Sequence, residues 1–197
     1  MSKTVDYFMS PVSPWTYLGH PRFTAMTTLH NAQVRIKPID IGKLFAASGG
    51  LPVKQRPAQR QAYRLMELKR WRDYLGVPLT IEPKFFPYAA EPASWLIIAA
   101  DKVAGPAAAA RLAFGFLRGC WAEERNCADS QTIAAIVRAE GLDLAILQAR
   151  AEEAKALYET YTKEAIAKGV FGVPTYVIGD ELMWGQDRLE FVERALM

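Results

Sequence analysis

Cysteine is nearly absent from this chain: Cys120 and Cys127 are the only two in 197 residues, and their spacing is not Cys-x-x-Cys. A redox dithiol motif is therefore missing, and both thiols, in a helical stretch, are expected to be buried and structural. Histidine is as scarce. His20 and His30 stand ten positions apart with no Cys, His or Asp cluster around them. No metal site of recognisable spacing exists, and His20 is expected on a helix surface or behind the site. Neither sign of charge dominates: 24 Lys and Arg against 21 Asp and Glu leave +3, too balanced for a nucleic-acid lattice that calls for clustered cations. No run approaches the ~20 apolar residues of a membrane helix, and the segment MSKTVDYFMS lacks the apolar core of a secretory signal. A cytoplasmic protein without nucleic-acid or membrane partners is expected.

What is present is an ordered set of short motifs. With 51% hydrophobic residues, the chain is long for one minimal domain and short for two, so one domain with an insert is the economical reading. Thr4–Met9 and Val34–Ile39 read as strands, the second with period two and a proline suited to an edge. Between them, Ser13-Pro14 opens a helix running to about Leu29, with Ser13 as N-cap. From Gly42 to about Arg150 the periodicity is helical: Leu65, Leu68, Trp71 and Leu75 mark one helix. Leu112, Phe116, Leu117 and Trp121 mark another, and Ile133, Ile136 and Val137 a third, capped by Asp129 or Ser130. A long helix through Ala154, Tyr158 and Ala165 ends at Gly169. Gly179-Asp180 reads as a two-residue hairpin turn, and Asp187 with Glu190 as a capping box for a last helix Arg188–Leu196.

Strand–helix–strand followed much later by strand–hairpin–helix is the thioredoxin plan with an insertion. The expected α/β architecture is one domain over 1–197, with 1–42 and 151–197 forming the thioredoxin-like part and 43–150 an all-helical insertion. In that plan Ser13 faces Val173-Pro174, an X-Pro peptide at a strand start that is expected to be cis. The Val173 backbone would offer an extended ligand an edge to pair with. The Ser13 hydroxyl would lie where free N–H groups and the helix dipole favour negative charge. A plain capping role competes with catalysis for Ser13, and a cap role competes with ligand binding for Asp187. Trp15 and Tyr88 are candidate pocket walls, although aromatic residues are more often core. Lys54, Arg56, Arg60 and Arg64 read as a solvated helix face, or as a face overlooking Ser13 where a substrate carboxylate needs a partner.

SPWTYLG near the start and FGVPTYVIGDELMWGQDRL near the end, with GGLP, RQAY and a tryptophan-bearing helix between, resemble the 2-hydroxychromene-2-carboxylate isomerases. That family lies in the DsbA-like, kappa-class glutathione transferase superfamily. The resemblance implies a thioredoxin-like fold with a helical insertion, glutathione as cofactor and a homodimer. It implies that Ser13 touches the glutathione sulfur and that Val173 and Pro174 meet the cysteinyl backbone. Asp187, with Gln186 and Arg188 beside it, would hold the γ-glutamyl end. Arg60, three before Tyr63, would take the glycyl carboxylate or an acidic substrate. Ser48-Gly49-Gly50-Leu51-Pro52 and Tyr88-Ala89-Ala90-Glu91 depart from the family by lacking asparagines. A serine cannot form a mixed disulfide, so the nucleophile would be the ligand's thiolate. The implied reaction is isomerisation of 2-hydroxychromene-2-carboxylate to trans-o-hydroxybenzylidenepyruvate, or of a related aromatic keto acid. A kappa-like transferase or peroxidase, or a non-catalytic peptide-binding module, are the alternatives.

Overall fold

The computed structural model describes residues 2–197. Strand β1 (Thr4–Met9), helix α1 (Pro14–Leu29) and strand β2 (Gln33–Pro38) come first. Helices α2 (Ile41–Ser48), α3 (Ala58–Leu75), α4 (Glu91–Ala104), α5 (Pro106–Trp121), α6 (Ser130–Ala139) and α7 (Leu144–Gln148) follow. Helix α8 (Ala151–Ala167) leads back to strands β3 (Thr175–Ile178) and β4 (Glu181–Trp184), and α9 (Leu189–Leu196) closes the chain. The sheet order is β2-β1-β3-β4. β1 and β2 are parallel, as a helical crossover requires, and β1–β3 and β3–β4 are antiparallel. Pro38 ends the edge strand, where its missing N–H costs no ladder bond.

The pleat of β1 distributes its side chains between two cores. Val5, Tyr7 and Met9 join the larger one, with Phe23 of α1, Tyr176 of β3 and the inner faces of α4 and α5. Phe8 joins the smaller one, with Ile39, Leu44, Ala165, Val170, Val173 and Val177. The rings of Tyr7, Phe23 and Tyr176 sit 4.5 to 5.3 Å apart, a geometry that adds to the burial term. They fix α1 on the sheet. Truncating Phe23 to alanine would cost roughly 3–5 kcal/mol.

Two sequence expectations fail. His20 is buried, not on a helix surface, because α1 is pressed between the sheet and α5. Its Nδ1 meets the Tyr7 hydroxyl at 3.1 Å and its Nε2 the Ala110 carbonyl at 2.9 Å. The capping box does not form. Gly185 has φ 110°, and the chain makes a short 3-10 turn, Gln186–Arg188, before α9 starts at Leu189 without a side-chain cap. The Asp187 carboxylate instead folds back over Gly185, where a Cβ would stand 2.3 Å from Oδ1, and pairs with Arg188 at 3.0 Å.

Candidate active site

Ser10-Pro11-Val12-Ser13 links β1 to α1, and the Ser13 N–H donates to the Ser10 carbonyl at 3.1 Å. Extended backbone at Ser13 (φ −83°, ψ 124°) makes it the N-cap, its Oγ accepting from the Thr16 N–H at 3.2 Å. Its own proton points to the Val173 carbonyl at 3.5 Å, longer than the 2.5–3.0 Å of a firm O–H···O bond. The hydroxyl is thus held in place yet keeps a donor to give. Pro14 has no N–H, and the Trp15 N–H finds no acceptor among the described residues, so positive potential remains at the helix start. The Thr16 hydroxyl is buried with no partner among the described residues.

Across from Ser13, the Val173-Pro174 peptide is cis. The Pro174 carbonyl accepts from Gly185 N–H at 2.9 Å, and the Thr175 hydroxyl donates to the Gly172 carbonyl at 2.8 Å. Both bonds brace the segment. The Val173 N–H, by contrast, has no acceptor among the described residues, and its carbonyl meets only Ser13. Phe171 and Trp184 form an exposed aromatic pair beside it, with ring centroids 4.7 Å apart.

The other candidates are placed less uniformly. Asp187 and Arg188 are exposed at the end of β4. Gln186 is buried, its Oε1 accepting from Arg22 Nη1 at 2.9 Å, and it packs so close to Gly19 that a Cβ there would lie 2.8 Å away. Its amide is engaged in docking α1. Arg60 and Tyr63 stand exposed on α3. Trp15 is half-buried against the large core, and Tyr88 is sealed in it, its hydroxyl donating to the Pro11 carbonyl at 2.9 Å. Tyr88 therefore ties the helical layer to the Ser13 loop and offers no open ring face.

Of the two readings the sequence leaves for Arg64, the structure excludes the solvated face: the side chain is turned inward, 9% exposed. Its position four residues before Leu68 on the inward stripe of α3 was the available signal. Its guanidinium carbon lies 5.4 Å from the Phe86 ring and 5.9 Å from the Trp121 ring.

Electrostatics separate reactive from inert groups. Burial pushes the Cys120 thiol up to about 12 and Cys127 to about 11, so neither forms a thiolate at neutral pH. Burial holds His20 down to about 4, hence neutral. Two concavities, of about 430 and 750 Å³, share Pro21 and Phe114, and neither includes Ser13 or Val173. We place the site at Ser13 because free donors and a free peptide edge converge there.

A family model described as a DSBA-like thioredoxin domain matches residues 4–197. The chain is 26% identical over 200 residues to the 2-hydroxychromene-2-carboxylate isomerase of Sphingobium xenophagum, covering 100% of both proteins. It is 22% identical over 208 residues to glutathione S-transferase kappa 1 of Homo sapiens, covering 100% of this chain and 92% of that one. A solved structure of selenomethionine 2-hydroxychromene-2-carboxylate isomerase superposes with a TM-score of 0.77 at 27% identity, covering 98% of this chain and 94% of the other.

Proposed function

Because the chain belongs to the DSBA-like thioredoxin domain family, we propose that it is a glutathione-dependent isomerase of 2-hydroxychromene-2-carboxylate or a related aromatic keto acid. The observation that carries this reading is Ser13, capping α1 where a thiol-disulfide enzyme would carry cysteine, 3.5 Å from an otherwise unpaired Val173 peptide. Full-length similarity to a protein named as that isomerase supports the reaction class, and similarity to a kappa-class transferase supports the cofactor.

The residues present fit glutathione. The free N–H and nearly free carbonyl of Val173 match the donor and acceptor of a cysteinyl residue laid alongside in extended form. When bound, glutathione supplies a thiolate nucleophile. Ser13 donates its underused proton to that sulfur, and the start of α1 adds positive potential, so the anion is favoured by a hydrogen bond and a dipole together. Pro174 shapes the turn against which the tripeptide lies. Asp187 receives the α-ammonium of the γ-glutamyl end, with Arg188 and the Gln186 backbone beside it, and Arg60 takes the glycyl carboxylate. Trp15, half-buried beside Ser13, walls the side on which a flat substrate enters, and Tyr88 takes no part in that wall, being sealed in the core. The division into a thioredoxin-like part (1–42 and 151–197) and a helical insertion (43–150) belongs to the same reading, as do a homodimer and a cytoplasmic setting.

The test is a spectrophotometric assay of 2-hydroxychromene-2-carboxylate with and without glutathione, with product analysis. Turnover that requires glutathione and releases an unconjugated product is expected. A product that leaves carrying glutathione would establish a transferase instead, and absence of both turnover and glutathione binding would sink the reading.

A further inference from the structure

Among the described residues, Arg64 has no carboxylate within ion-pair distance, and its Nη2 is buried with no hydrogen-bond partner. Glu82 favours its charge, but less than burial and the charge of Arg56 oppose it. A buried guanidinium without an acceptor is costly, and folds retain such groups chiefly where something else supplies the acceptor. A second orphan lies on the same contact: the Nε1–H of Trp121, also buried and unpaired. Both groups can only donate. A water brings one neutral acceptor oxygen, whereas a carboxylate brings charge and two oxygens matched to a guanidinium fork.

The surroundings are flat and apolar. Phe86 and Trp121 have ring centroids 4.8 Å apart at 51°, with Arg64 over both. Phe86 stands two residues before Tyr88, which is bonded to Pro11, two residues before Ser13. The orphan donors thus belong to the helical segment fastened to the catalytic loop.

We propose that Arg64, helped by Trp121 Nε1–H and the faces of Phe86 and Trp121, is the binding site for the carboxylate of a planar conjugated acid. This deepens the proposed function and rests on it for the identity of the substrate. It separates two arginines on one helix: Arg60, exposed, serves the cofactor, and Arg64, inward, selects the substrate.

The experiment measures equilibrium binding of trans-cinnamate, and of uncharged trans-cinnamamide as control, to the full chain and to Arg64→Met, Arg60→Met and Trp121→Phe, with glutathione titrated separately. Cinnamate should bind the unaltered chain at least tenfold more tightly than the amide. Arg64→Met should lose about tenfold to a hundredfold in cinnamate affinity, the range for hydrogen bonds to charged groups, and keep its glutathione affinity. Should Arg64→Met fail to fold, Trp121→Phe keeps an aromatic ring, though a smaller one, and removes one donor, and a several-fold loss of cinnamate affinity with unchanged glutathione binding supports the site. Equal binding of acid and amide, or cinnamate affinity lost in Arg60→Met but kept in the other two variants, overturns it. Glutathione failing to bind while the Arg64 dependence persists would leave the anion site standing and fell only the reading of the cofactor.

Discussion

The two regions proposed to recognise ligands, Ser13–Val173 and the inward face of α3, are built in opposite ways. The first works with backbone: a helix start, a peptide edge and one hydroxyl, with charged side chains only at its margin. Those groups are fixed by the sheet and by α1, so they suit a ligand that is itself a peptide and need little from sequence beyond Ser13 and Pro174. The second works with side chains, a guanidinium over two rings, and one substitution can rewrite it. A fold that keeps the first and varies the second can hold one cofactor against many substrates.

Ser13→Ala should break the backbone-built half most severely. Removing one preorganised donor to a developing or standing anion costs roughly 10²–10³ in kcat, while losing the N-cap costs only about 0.5–2 kcal/mol of stability. Steady-state kinetics beside denaturant melts check both, and full activity in a folded variant would reduce Ser13 to a cap.

His20 tests how far that half depends on α1 being clamped. Unfolded, its imidazole titrates near 6.5, and burial holds it to about 4 in the folded state. The unfolded chain therefore binds the extra proton between those values. Stability is full above about 6.5 and falls as pH drops through the window, by about 3 kcal/mol at most. Urea melts at pH 4.5 and 7.5 read the slope, and His20→Asn should flatten it. A wild-type slope that survives the substitution would assign it to other groups.

Asp187→Asn should lower glutathione affinity by roughly tenfold or less, as expected for an exposed charge already shared with Arg188. Thermal stability should change little, since Asp187 caps no helix. Calorimetry and a melting curve separate the two, and a marked loss of stability at constant affinity would return Asp187 to the fold. Smallest of all, Arg60→Met should weaken glutathione several-fold by the same titration and leave cinnamate binding alone, which sharpens the contrast between the two arginines.

Local chemistry explains which features were legible. Ser13-Pro14 and the Gly179-Asp180 turn are short-range signals that lie where the sequence puts them, and of the two caps offered, Asp129 or Ser130, the structure uses Asp129. Asp187 carries a capping signature of the same kind, but the positive φ of Gly185 redirects the carboxylate, and spacing alone does not show that. His20 and Arg64 were misplaced for a different reason. Residue type argues for exposure of both, because polar groups are buried only with compensation from elsewhere in the fold. For His20 that compensation is Tyr7 and Ala110. For Arg64 the described residues provide two ring faces and no acceptor for Nη2. The cis Phe86-Pro87 peptide, unlike Val173-Pro174, stood beside no strand signal and went unread.

The two buried cysteines have a practical corollary. Cys120 and Cys127 are at most 1% exposed, and their protons are held well above neutral pH. The folded chain therefore presents no reactive thiol of its own. A dye-linked maleimide added to the working protein consumes only thiol brought by added compounds, so the label it leaves on the polypeptide is a direct gauge of unfolding.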